Sequence, residues 1–217
     1  MTVIEFNFND DWMGEISRRL GDLNDKTPDV ISQATNSTAR KARKLIVQSL
    51  REHYAEDAKT KEYNAAMKIA RASRKKYDAT IYIRGKVQNL RRFNVSPKDP
   101  PASGSSRPPT TRAQVLLQGG LKELNKGGIK AFITTFKNGD VVVAQRNGSF
   151  YTYHRPTGGI DRHHEAIDKL WSISIPKMAE SQLDPKTVRG NMRDTIQAIL
   201  VEEIEKQIAR QLAKHGG

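Results

Sequence analysis

KAFITTFKNGDVVVAQR, residues Lys130–Arg146, is the stretch that decides what this chain can build. Apolar or β-branched side chains fill Ala131–Phe136 and Val141–Ala144 on either side of Asn138-Gly139. That dipeptide suits a tight turn, because Gly, and more weakly Asn, tolerates positive φ at little steric cost. The pattern predicts a β-hairpin. Its arms are continuously apolar rather than alternating, which predicts cover on both faces. The rest of the chain offers little from which to build a sheet core, so the hairpin anchors the expected sheet.

Upstream, Val3–Phe8 partly alternates and reads as a short strand, and Ala79–Arg84 as a strand with Ile81 and Ile83 on one face and Tyr82 on the other. Leu90–Val95 is a weaker strand, and Gln114–Gln118 and Leu121–Leu124 flank a Gly-Gly pair. Helices are predicted at Asp11–Leu20, ending near Gly21, and from Thr27 to about Tyr54. Thr27 is placed to cap the second, with Pro28 at its first position and Asp29 near its positive end. Thr60–Lys76 reads as a third, basic helix, and Asp184 can cap a last one running from Pro185 to His215.

That last helix carries Val188, Met192, Ile196, Ile199, Leu200, Ile204, Ile208 and Leu212, mostly four residues apart. A strict four-step drifts roughly 40° per repeat on a helix of 3.6 residues per turn, so the stripe winds around the axis. Either one end packs at home and the other on a neighbour, or one curved intramolecular groove takes it all. Ile196, Leu200, Ile204, Ile208 and Leu212 are the candidate oligomer interface. The expected class is α+β: a small, mainly antiparallel sheet over Ala79–Arg146, packed with N-terminal helices and a long C-terminal helix. Residues 1–26 read as an arm with a short helix. Residues 27–217 read as a single domain with a mobile Pro/Ser/Gly-rich loop at 96–112 and an insertion at 147–164.

Hydrophobic residues make up 36% of the 217 and charged residues 28%, lean for one large globule, so some elements are expected to serve partners. A formal charge of +13 makes a polyanion or an acidic protein surface the natural neighbour, against the plainer reading of an uncommitted basic surface. Arg91, Arg92, Lys98, Arg107 and Arg112 lie in or beside the 96–112 loop and are the candidate phosphate contacts; a solvated basic rim is the alternative. Aromatics are only 6% and are mostly not interleaved with these charges, which disfavours base stacking.

Cysteine is absent, which excludes disulfides, thiol nucleophiles and thiolate metal sites. The acidic start MTVIEFNFNDDWMGEI has no secretory pattern, and no run approaches the roughly 20 apolar residues that cross a bilayer, so a soluble protein with no membrane partner is expected. His163-His164-Glu165, with Asp161 and His154, is the one cluster with metal-ligand chemistry. Adjacent histidines diverge on a strand or a helix and miss the one-face i, i+4 spacing of helical zinc sites. There is no G-x-S-x-G turn and no Walker loop; Asp10-Asp11 reads as a cap region and Glu202-Glu203 as a solvated helix face. The chain is expected to be no enzyme and to need no metal or cofactor.

Four pieces in order carry a resemblance: the Ala/Arg/Lys helix at Ala39–Leu50, RGKVQNLRRFNVSPK at Arg84–Lys98, the GGIKAFITTFKNGDVVVAQR hairpin, and WSISIPKM leading to the terminal helix. Together they resemble the minor tail protein Z family of long-tailed phages. Ser172-Ile173-Ser174-Ile175-Pro176 departs from that family's Gly-Pro-Ser turn, and Asn147–His164 is longer than its pattern. The resemblance implies a virion structural protein, assembled in the host cytoplasm into a ring, most naturally a hexamer. That ring is a tail completion or neck component at the head–tail junction, with genomic DNA passing through its lumen. It further implies tail terminator, tail tube or head–tail connector proteins as neighbours, and Phe132, Asn138, Gly139 and Pro176 as the docking hairpin and turn. Two other readings compete: a basic, sequence-independent DNA-binding module using the Arg40–Lys76 helices, and a hydrolase built on the His163-His164 loop.

Overall fold

A computed structural model describes residues 1–6, 10–57, 60–102, 109–153, 162–184 and 192–215. In chain order the elements are β1 (Thr2–Phe6), α1 (Asp10–Leu20), α2 (Thr27–His53), α3 (Thr60–Ala66), β2 (Met67–Ala70), β3 (Ala79–Ile83), β4 (Val87–Asn89), β5 (Asn94–Ser96), β6 (Arg112–Gln114), β7 (Lys122–Glu123), β8 (Asn125–Lys126), β9 (Ile129–Lys130), β10 (Phe132–Thr135), β11 (Val141–Tyr153), β12 (Arg162–Lys169), β13 (Trp171–Ser174), α4 (Ile175–Leu183) and α5 (Met192–His215). The class is α+β, with small antiparallel sheets and a long C-terminal helix. The chain divides into two compact units, one of Met1–Leu50, Lys59–Lys86 and Ser174–Gly217, the other of Arg51–Ala58 and Val87–Ile173.

In the first unit, β3 is the middle strand of an antiparallel sheet ordered β1-β3-β2, with Ile81 paired to Ile4 on one side and Ile69 on the other. Sequence patterning predicts helix through Thr60–Lys76, but α3 stops at Ala66 and Met67–Ala70 is strand. Local helix propensity is a weak preference, and here the free edge of β3 outweighs it by offering a full ladder of hydrogen bonds. Asn36 on α2 then fixes the following connection, its side chain accepting from the Ala72 N–H at 2.9 Å and donating to the Ala72 carbonyl at 3.0 Å.

Thr27 is not the cap predicted for it. Its backbone is helical (φ −49, ψ −47), it continues directly from a 3₁₀ turn at Gly21–Lys26, and its buried hydroxyl has no hydrogen-bond partner. Gly21, at φ +56, ends α1 as expected. The helices meet in one apolar cluster made by Ile16 and Leu20 of α1, Val30, Ile31 and Ala34 of α2, and Leu200, Ile204 and Ile208 of α5, with Trp12, Met13, Leu23 and Tyr77 around it. Residues 1–26, set apart as an arm by sequence, thus supply part of this core.

In the second unit, β10 and β11 form the hairpin, with Phe132 opposite Ala144 and Thr135 opposite Val141. Val142 and Val143 are neighbours on opposite faces and both are buried, so each face is covered, as the unbroken apolar run requires. The hairpin does not extend into one sheet reaching back to Ala79. The strands instead group as β10-β11-β12, β5-β6-β7, β13-β4 and β8-β9, while β3 belongs to the first unit. Asn147–Tyr153, expected to lie in an insertion, continues β11 and pairs with β12 after an irregularity between Arg146 and Phe150.

Candidate basic cleft and partner surfaces

The winding stripe of α5 is used at home. Ile196, Leu200, Ile204 and Ile208 are buried within the subunit, and Leu212 alone of the five candidates is exposed, at 41%. The correction has a geometric cause. A stripe that turns around its helix needs more than one neighbour, and α1 and α2 supply two from the same chain. Glu203, predicted to face solvent, is also buried at 1%, with Lys41 Nζ 2.7 Å from its carboxylate. Burial acts first on Glu203 and raises its pKa, but hydrogen bonds from Lys41 and Ser37 outweigh it and leave the group below its ordinary value. Lys41 is raised in return, chiefly by its bond to Glu203.

The basic candidates separate. Arg91 and Lys98 come together on a cleft of about 730 Å³, joined by Arg51 and lined also by the carboxylates of Glu56 and Asp57 and by Tyr54 and Phe93. Arg91 lies 3.7 Å from Asp99 and donates to the Lys98 carbonyl at 3.4 Å. Arg92 is not among the lining residues; it pairs at 3.2 Å with the buried carboxylate of Glu56, which is, so it acts within the fold. Arg112 sits on β6 opposite Ser96 of β5 and Glu123 of β7. Arg107 lies outside the described residues. β5 and β6 hold the ends of the 96–112 stretch together, with Val95 opposite Ala113, and Thr111 is buried with its N–H on the Ala131 carbonyl at 3.0 Å. Arg51 was not singled out by sequence. It stands near the end of a basic helix, and nothing local distinguishes it from its neighbours.

At the hairpin tip the Gly139 N–H reaches the Phe136 carbonyl at 2.9 Å, and the Phe136 N–H reaches the Asp140 carbonyl at 2.8 Å. Lys137 and Asn138 are therefore the central pair, and Gly139 follows at φ +84. Asn138 needs no positive φ. Its side-chain oxygen accepts from the Asp140 N–H at 3.1 Å, the local turn bond asparagine is suited to. Phe132 is half-buried under Arg146, whose guanidinium lies 5.7 Å from the ring centre. Pro176 is buried in the first turn of α4, which is capped by Ser174, whose hydroxyl accepts from the Lys177 N–H at 3.4 Å. The Pro176 carbonyl accepts from the Thr2 hydroxyl at 3.1 Å. A Cβ on Gly85 would stand 3.3 Å from Pro176 Cδ, so a side chain there would press on the proline ring.

His163 and His164 are consecutive on β12 and face opposite sides. His163 Nδ1 is 3.1 Å from the Thr152 hydroxyl, and His164 stacks on Tyr151 with centroids 5.7 Å apart. His154 and Asp161 lie outside the described residues, and among the described residues no group of three or more His, Cys, Asp or Glu could hold a metal ion. No described helix is long and apolar enough to cross a membrane.

Comparison with protein families places the chain among the structural proteins of phage tails. The family described as prophage minor tail protein Z (GPZ) matches residues 15–215, nearly the whole chain, and the protein belongs to that family. No curated protein and no solved structure matches it. The family suggested by the sequence is thus upheld, and a virion location in the tail goes with it.

Proposed function

We propose that this protein is a ring-forming tail completion or neck component at the head–tail junction, most naturally a hexamer, through whose lumen the genome passes. The observation that carries the reading is membership of a tail structural family along residues 15–215. The charge of +13 supports it, because a conduit for DNA benefits from attraction without sequence-specific grip. Arg51, Arg91 and Lys98 on one cleft are the cations best placed to meet phosphate. Tail terminator, tail tube or connector proteins are the expected neighbours.

The reading of the chain as a free DNA-binding module is weakened by where the Arg40–Lys76 charges go. Lys41 is bound to Glu203, Arg74 Nε lies 3.0 Å from Asp29, and Lys68 is on a strand rather than on a basic helix. The test is mass photometry of the protein alone and with its neighbouring ring protein. A symmetric oligomer is expected, and a strictly monomeric chain in every assembly context overturns the proposal. Tight binding of the monomer to free duplex DNA would favour the competing reading instead.

A further inference from the structure

We infer that copies of this chain join edge to edge, β2 of one subunit lying beside β1 of the next and prolonging its β1-β3-β2 sheet; the inference rests on the ring reading above. In that sheet β3 is the middle strand, and β1 and β2 are its two ends. Half of the backbone N–H and C=O groups of an end strand point away from its one partner, and such a row is a template for a further strand. Among the described residues, neither β1 nor β2 is paired to any strand other than β3. The β1 edge is open in space as well. A groove of about 690 Å³ runs along it, touched by every residue from Met1 to Phe6 and lined also by Leu183 of α4 and by Ile196 and Leu200 of α5. A slot that combines a backbone edge with apolar side chains is the form in which an extended segment adds to a sheet.

Charge selects the strand that comes to this slot. The groove is lined by the carboxylates of Glu5, Glu180 and Asp184 and by the cation Arg193, whose Nε donates to the Leu183 carbonyl at 3.2 Å. In a chain of +13 this is a local reversal of sign. The other end of the sheet has the opposite character. From Lys61 to Asp78 the chain carries six Lys or Arg and two acidic residues, and Lys68 on β2 and Arg71 just after it are exposed. Complementary charges around a contact fix partner and register more than affinity, so the backbone ladder and the apolar lining hold the strand while the charges choose it. A ring built by rotation needs two different complementary surfaces on each subunit, and the two ends of one sheet supply them. Both strands run antiparallel to β3 and hence parallel to each other, so the pair formed between copies is parallel. Val3 and Lys68 both lie opposite Tyr82, and Glu5 and Ala70 both lie opposite Thr80. In the prolonged sheet Val3 and Glu5 of one subunit therefore share a face with Lys68 and Ala70 of the next.

The test is oxidative cross-linking of the full-length chain, which has no cysteine of its own. A Val3→Cys copy is mixed with a Lys68→Cys copy and, separately, with an Ala70→Cys copy, the two positions that a strand beside β1 can bring opposite Val3. All three side chains are exposed, so the fold bears the changes. In one of the two mixtures the mixed disulfide is expected to dominate over either homodimer. With both cysteines in one chain no internal bond can form. Val3 and Lys68 flank Tyr82 at two strand spacings, about 10 Å, and Ala70 is farther from Val3 still, whereas a disulfide needs Cα atoms within roughly 7 Å. The doubly substituted protein should instead give a ladder of covalent multimers that ends at the size of the wild-type ring. A wild-type oligomer that persists while both mixtures give no mixed disulfide, or give chiefly a homodimer, overturns the inference and leaves the ring reading standing. A wild-type protein that never oligomerises removes both.

Discussion

The variant Ile204→Ala separates a core role for α5 from an interface role. Ile204 is 1% exposed and sits in the cluster with Ile16, Leu20, Val30, Ile31, Ala34, Leu200 and Ile208. The substitution removes three buried carbons, about 2.4 kcal/mol at ~0.8 kcal/mol each. The residual cavity adds to that, and buried Ile→Ala changes cost about 2–5 kcal/mol, so about 3–4 kcal/mol is expected at so enclosed a site. With a urea slope of about 2–3 kcal/mol per molar, the midpoint should fall by about 1–2 M. Trp12 borders this cluster, and the other tryptophan, Trp171, belongs to the second unit. Trp12 fluorescence in a Trp171→Phe background therefore reports the first unit. Leu212→Ala, at an exposed site, should cost under about 1 kcal/mol. An Ile204→Ala protein that keeps the parental midpoint but loses its oligomer would refute the argument and return the stripe to the subunit interface.

Two further outcomes are expected. Glu203 titrates below its ordinary value of 4.5 when folded, so its contribution is fully present above that pH and is lost as pH falls through the folded pKa. Parental protein should therefore lose stability below about pH 4.5 more steeply than Glu203→Gln; parallel acid limbs in urea-midpoint titrations would count against the Lys41 bond. Gly139→Ala forces a Cβ into the left-handed region at φ +84 with no neighbour to clash, so the cost should be about 1–2 kcal/mol of strain, and Gly139→Asn should recover part of it. Equal stabilities for the Ala and Asn variants would speak against the turn geometry.

The hairpin and the terminal helix were legible because their signals are local. An unbroken apolar run on both sides of a turn dipeptide can hardly be anything but a doubly covered strand pair, and Ile133, Val142, Val143 and Ala144 are all buried. What the stripe of α5 could not reveal is whose surface covers it, since periodicity measures apolar area and not its partner. β2 was hidden beneath good helix formers, and only the empty edge of β3 makes Met67–Ala70 a strand. β12 was hidden too: RHHEAIDK has little strand preference, and its register with β11 holds it. Of the basic candidates, sequence could place Arg91 and Lys98 near each other, but it could not show Arg92 turning onto Glu56. A buried carboxylate finds its cation through the fold, and adjacent charges look alike on paper.

The remaining charge constrains how copies can assemble. Cations exceed anions by 13, so even if every carboxylate held one Lys or Arg the excess would stay unpaired within the chain. Copies brought together through apolar surfaces must therefore bear mutual repulsion, which falls as salt shortens the screening length to ~10 Å at 0.1 M. Contacts between the cleft cations and DNA respond in the opposite sense, weakening with salt as counterions cease to favour release. The two proposed associations should thus have salt dependences of opposite sign. Raising salt should increase the oligomer fraction in mass photometry while reducing retention of duplex DNA, and Arg91→Ala with Lys98→Ala should flatten only the second curve, by a slope of about 2. If oligomer and DNA complex both dissolve with added salt, the subunits are joined by ion pairs rather than by apolar cover.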